Sequence, residues 1–183
     1  IKNSATNFYK GDISKEEVEK FYDAQRDPKD ATPISYGLNS QLVKENGKIY
    51  ENVYKSGGLY GEAIDQIIYW LEKANAVAEN DTQRNYTNLL IDYYKTGDLN
   101  TWDEYNIAWV QDSVSTIDFV NGFIEDYGDP MGMKATWEAV VNFKDMEATK
   151  RAELISQNAQ WFEDNSPVDE RFKKKECKGV TAK

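Results

Sequence analysis

The sequence predicts an α+β fold, predominantly helical, with a β-hairpin and at least one further strand. Three observations carry that expectation. Ile64, Ile67, Ile68, Leu71, Ala74 and Ala78 recur at i, i+3, i+4 and i+7, the period of a helix buried along one face. Asn46-Gly47 joins two short runs of alternating polarity, and that dipeptide favours a two-residue turn with positive φ at both centres. Residues 115–127 gather Ile117, Val120, Phe119, Phe123 and Ile124 before a turn, a composition that suits a strand.

Taken in order, Ser14 and Glu17 have capping-box spacing, so a first helix is expected over residues 15–26, ended by Asp27-Pro28. The hairpin follows over residues 41–54, and Gly57-Gly58 breaks it. A helix is expected over residues 61–80. Asp81 is placed to cap the next helix, whose face is Tyr86, Leu89, Leu90 and Tyr93, with Gly97 closing it. Thr101 and Glu104 have the spacing of another capping box, ahead of Tyr105 and Trp109. Residues 115–127 also fit a helical stripe. Their β-branched content, Gly122 and the terminal turn favour the strand, on which Phe119, Asn121, Phe123, Glu125 and Tyr127 share one face. A long helix is expected from Lys134 to about Glu163, on the stripe Trp137, Val140, Val141, Ala148, Ala152, Ile155, Ala159 and Phe162. A basic run, Lys173, Lys174, Lys175 and Lys178, reads as a solvated tail.

Composition narrows the function. With 22 Lys and Arg against 32 Asp and Glu, the net charge is −10. Nucleic acid and anionic membranes bind clustered cations, so neither is expected as partner; positively charged ligands are favoured. No run is apolar enough to span a bilayer. Cys177 is the single cysteine, which excludes an intrachain disulfide, fits a reducing compartment, and offers no catalytic thiol without a partner base. The chain has no histidine, which excludes a His-based triad, an HExxH helix and a His proton shuttle within it. Neither end resembles a natural terminus, and both are read as cuts.

Glu125 and Tyr127 are the leading candidates for chemistry. On a strand they offer a carboxylate to an ammonium group and a phenol to a developing oxyanion. The competing reading is a strand tip with a solvated acid and a half-buried tyrosine. Asp126 and Asp129 read as turn chemistry, and Glu51 as an edge-strand charge. Glu125 with Glu138 also suggests a glycosidase-like pair, although nothing in the sequence sets their separation. The many aromatics read as core rather than as a sugar platform.

The stretches WVQD at 109–112 and GFIEDYGDPMG at 122–132 resemble the dipeptidyl peptidase III family of zinc metallopeptidases. The likeness extends over most of the chain, and it departs from the family pattern at Ser115, Asp118, Gly128 and Met131. The resemblance implies two lobes around a cleft and release of dipeptides from the N-termini of oligopeptides. It implies zinc held by an HExxGH-type helix and a further Glu, ligands absent here and expected beyond Lys183. Residues 1–133 would then belong to the non-zinc lobe, and 134–183 would lead towards the zinc lobe. By position in the motif, Glu125 matches the residue that binds the substrate's free amine. Tyr127 matches the one that polarises the scissile carbonyl, and Glu138 matches a third acid near the cleft. The implied partners are an oligopeptide substrate and the rest of the polypeptide, and the expected compartment is the cytoplasm. A non-enzymatic acidic peptide-binding module and a carbohydrate-active protein are the alternatives.

Overall fold

The computed structural model describes residues 6–177. Lys178 of the basic run, the final residues and the first five lie outside them. The elements run β1 (Tyr9–Lys10), α1 (Lys15–Asp23), β2 (Ser40–Glu45), β3 (Lys48–Val53), α2 (Gly61–Ala76), α3 (Asp81–Thr96), α4 (Leu99–Gln111), β4 (Ile117–Glu125), β5 (Thr136–Phe143), α5 (Met146–Gln157) and α6 (Ala159–Asp164), then a 3₁₀ turn at Glu170–Phe172. The fold is α+β with helix predominant. β1, β2 and β3 form one sheet in that order, and β4 pairs with β5 in another.

The chain divides into two compact units. One holds the described residues up to Asp112 together with Val120–Ala139; the other holds Ser113–Phe119 and the described residues from Val140 onward.

In the first unit, the capping box starts α1 as its spacing requires. The Glu17 amide donates to Ser14 Oγ at 3.2 Å, and the Ser14 amide donates to Glu17 Oε2 at 3.0 Å. Val18 and Tyr22, four apart, are then buried with Ile13 and Leu42 in one apolar cluster. The hairpin is closed by the Glu45–Lys48 pair, with φ of 50° at Asn46 and 78° at Gly47. β1 pairs in parallel with β2, Tyr9 opposite Leu42. A second cluster joins α3 and α4 through aromatic rings. Trp102 lies 4.9 Å from Tyr93 and 5.2 Å from Tyr105, and all three are buried. At Gly122 of β4, a Cβ would overlap the Trp102 ring, so the missing side chain is what lets strand and helix meet.

In the second unit, the Lys144 amide donates to the Thr116 carbonyl at 2.9 Å and its ammonium to the Ser113 carbonyl at 2.9 Å. No residue of α5 is buried.

The expectations for one long helix, for two helix caps and for two helix ends are corrected. The long helix over 134–163 is a strand followed by two helices. Trp137, Val140 and Val141 fit a helical stripe, but with Thr136 and Phe143 they form a β-branched, aromatic run, and β4 supplies its pairing partner. Helix begins only after Asp145, whose carboxylate accepts the Glu147 and Ala148 amides at 2.9 and 3.1 Å. Asn80, not Asp81, caps α3, accepting the Gln83 amide at 2.9 Å. Asp98, not Thr101, caps α4, and Thr101 lies within the helix, donating to Asp98 Oδ2 at 3.1 Å. α1 stops at Asp23, before the Asp27-Pro28 breaker, and α2 at Ala76, short of the expected end near residue 80.

The contact at Gly122 sets an expectation. Gly122→Ala forces Trp102 off its site and lowers the unfolding free energy by about 1–3 kcal/mol, the usual range for overpacking, measured by urea denaturation. Unchanged stability would show that Trp102 yields freely.

Candidate active-site segment

Strand β4 ends at Glu125, and the chain turns at once. The Asp129 amide donates to the Asp126 carbonyl at 2.9 Å and the Gly132 amide to the Asp129 carbonyl at 3.0 Å, giving two successive turns. Tyr127 sits in the first of them rather than on the strand face with Phe123 and Glu125, and it is 83% exposed. Glu125 is half-buried, and its backbone carbonyl accepts from Thr136 Oγ1 at 3.3 Å. Glu138 is also half-buried and lies two residues beyond Thr136, on the same face of β5 by strand alternation. The strand end, the turn and the start of β5 are therefore neighbours. A carboxylate and a solvent-facing phenol two residues apart can meet a cation and a polar oxygen of one ligand.

Buried charges tie this turn to the first sheet. Asp129 is 5% exposed. Its Oδ2 accepts from the Tyr9 hydroxyl at 2.9 Å and from the amides of Met133 and Lys134 at 2.9 and 3.0 Å; its Oδ1 accepts the Met131 amide at 3.2 Å. Lys134 is fully buried. Its ammonium donates to the Tyr22 hydroxyl at 2.7 Å, to Ser40 O and Oγ at 3.0 and 3.1 Å, and to the Gly37 carbonyl at 3.2 Å. Glu51 Oε1 in turn accepts from Tyr22 at 2.8 Å and Ser40 at 2.6 Å. The ammonium also lies 5.1 Å from the Tyr22 ring centroid and 5.6 Å from that of Tyr9.

Burial pushes the Lys134 ammonium down to about 8, while the negative charges of Glu51 and Asp129 pull it back up. Burial raises both phenols well above their ordinary value, and Asp129 beside Tyr9 and Glu51 beside Tyr22 raise them further.

Sequence reasoning placed Asp129 in an ordinary turn and Glu51 at an edge, and did not single out Lys134. The available signal was slight. Lys134 is the one charge between Gly132 and Trp137, in a stretch that otherwise reads Met, Ala and Thr. Its partners lie 94 to 112 residues away in the chain, beyond the reach of any local pattern. Trp109 is half-buried on α4 and belongs to the framework rather than to an open surface.

Comparison with known proteins bears on the fold and the family. The fold is shared with the structure of DPP III from Caldithrix abyssi, at a TM-score of 0.70 and 24% identity, covering 93% of this chain and 31% of that one. The dipeptidyl-peptidase III of Corallococcus sp. strain EGB superimposes with a TM-score of 0.63 at 20% identity. The family model for Peptidase family M49 matches residues 35–179, and the chain belongs to that family. Its curated relatives include dipeptidyl peptidase 3 of Dictyostelium discoideum, 24% identical over 94% of this chain, and of Homo sapiens, 26% identical over 64%. The chain spans 27% of the length of the first and 16% of the second.

The lysine network makes stability pH-dependent with a definite sign. The folded-state ammonium loses its proton near 8, below the unfolded lysine at about 10.4, so between these values the unfolded chain binds more protons. The Lys134 contribution is full above the upper value and is lost as pH falls through 8. Relative to Lys134→Met, which has no titrating group there, the wild type gains stability from pH 8 towards 10. Denaturant titrations of both proteins across that range check it, and a pH-independent difference would refute it.

Proposed function

We propose that the protein of which this chain is a part is a zinc-dependent dipeptidyl peptidase, releasing dipeptides from the N-termini of oligopeptides. The observation that carries the reading is a half-buried Glu125 at the end of β4 followed two residues later, in a braced turn, by an exposed Tyr127, in a chain of peptidase family M49. Glu125 holds the peptide's α-ammonium through charge-assisted hydrogen bonds, each contributing roughly 1.5–3 kcal/mol. That contact fixes where the peptide begins, and so which bond is presented. Tyr127 donates its phenolic proton in a hydrogen bond to the oxygen of the scissile carbonyl as negative charge develops there. Glu138 adds a third acid on the adjoining strand, at the side of the bound amine.

The residues of this chain do not fit a zinc site. It has no histidine, and the described residues contain no group of three or more potential ligands able to hold a metal. The metal ligands are therefore assigned to the remainder of the polypeptide. In this reading residues up to 133 belong to the lobe without the metal, and those from 134 lead towards the lobe with it. No helix among the described residues is long and apolar enough to cross a membrane, and the cytoplasm is the proposed compartment.

Two measurements test the assignment. In the full-length protein, Tyr127→Phe lowers kcat by about a hundredfold or more with KM within a few-fold, since the donor acts on charge present only in the transition state. Glu125→Gln chiefly raises KM. An undiminished kcat in Tyr127→Phe would remove the role given to that residue. The 183-residue chain alone shows no peptide turnover and no tight zinc uptake by calorimetry; turnover by the isolated chain would overturn the division of labour.

A further inference from the structure

The outer half of the turn that carries Tyr127 has nothing of its own to hold it. The Tyr127 ring is 83% exposed, so packing does not fix it. Asp126 is exposed as well, and a Cβ built on Gly128 would meet no atom within 4 Å. The last residue of the turn supplies the restraint. The Asp129 amide donates to the Asp126 carbonyl and closes this turn, while the Asp129 carbonyl accepts the Gly132 amide and opens the next. Its buried carboxylate accepts the amides of Met131, Met133 and Lys134. These bonds shape the segment locally, but they do not set its place against the rest of the unit.

Two side chains do that. The Lys134 ammonium ties the far end, seven residues beyond Tyr127, to Tyr22 and Ser40. The Tyr9 hydroxyl ties the near end, two residues beyond Tyr127, by donating to Asp129 Oδ2 at 2.9 Å across 120 positions of sequence. Tyr9 is itself anchored. It lies opposite Leu42 where β1 pairs with β2, and its ring packs against the cluster of Ile13, Val18, Tyr22 and Leu42. Burial and the neighbouring Asp129 charge hold its phenol above the ordinary value, so the hydroxyl remains a donor through the neutral and mildly alkaline range. Glu125 depends on neither tie, because it stands on β4, which is paired with β5.

We propose that Asp129 and Tyr9 are positioning residues for the reaction, their hydrogen bond holding the turn where the Tyr127 hydroxyl reaches the developing oxyanion. The proposal rests on the reading that Tyr127 is that donor. A reacting group misplaced by about 1 Å loses on the order of a hundredfold in rate. Release of one of two ties displaces the turn only in part, and it leaves Glu125 on its strand.

The test uses the full-length protein. Tyr9→Phe removes one hydroxyl and keeps the packed ring. It lowers kcat by about fivefold to fiftyfold, with KM within about twofold. In a Tyr127→Phe background the same substitution changes kcat by about twofold at most, because no donor is left to place. Asp129→Asn loses at least as much kcat as Tyr9→Phe, and adding Tyr9→Phe to it changes kcat by about twofold at most. A merely structural weakening lowers the rate by the same factor with or without the Tyr127 hydroxyl, and that result overturns the proposal. So does a loss carried by KM. A disabled Tyr127→Phe beside a fully active Tyr9→Phe overturns the proposal alone; an undiminished kcat in Tyr127→Phe overturns the underlying reading and the proposal together. If Asp129→Asn does not fold, the Tyr9→Phe pair of measurements decides by itself. Hydrogen exchange needs no turnover: in Tyr9→Phe the amides of Met131, Met133 and Lys134 exchange about tenfold faster or more, while those of α3 keep their wild-type rates. Unchanged exchange in the turn segment overturns the proposal.

Discussion

A buried ammonium organises the first compact unit. Lys134 reaches from the segment after the Asp126–Gly132 turns into a space bounded by α1, the entry to β2 and the middle of β3. An unpaired charge in that position would cost several kcal/mol. Four oxygens around the ammonium, and Glu51 beyond two of them, offset that cost only if every segment is in place. The network is therefore conditional on the tertiary fold, and it rewards one arrangement of segments over near alternatives. Apolar burial alone discriminates less sharply, because it is non-directional.

The second buried charge, Asp129, works on the same segment from within. By gathering three backbone amides and the Tyr9 hydroxyl, it fixes the shape of the turns that follow Tyr127 and ties them to β1. Glu125 and Tyr127 thus stand at the boundary between a paired strand and a braced turn. Tyr127 makes little packing of its own, as its exposure shows. The turn that carries it is braced by the hydrogen bonds of Asp129 rather than by contacts of Tyr127 itself.

Glycine and aromatic residues fix the other side of β4. The strand approaches α4 closely because Gly122 has no side chain where the Trp102 ring lies. One residue later Phe123 turns to the opposite face and packs on Tyr54. The period-2 alternation of a strand thereby separates a face welded to the helical core from the face that carries Phe123 and Glu125. On a helix these same residues would fan around the axis, and neither contact would form.

Local chemistry was legible from the residues themselves. Ser14 with Glu17, Asn46-Gly47, Gly97 after α3 and the spacing in α2 each act within a few residues, so the sequence determined them unaided. The resemblance carried by WVQD and GFIEDYGDPMG pointed to the family that the comparison then showed. Residues 134–163 are ambiguous in the sequence because Trp137, Val140 and Val141 satisfy a helical and a strand pattern alike. Only the presence of β4 as a hydrogen-bonding partner decides between them. The Lys134 network is equally invisible, since its members are scattered along the chain from Tyr9 to Lys134. Desolvation, which makes Lys134 and Asp129 matter, is a property of the folded surroundings and is written in no single stretch of residues.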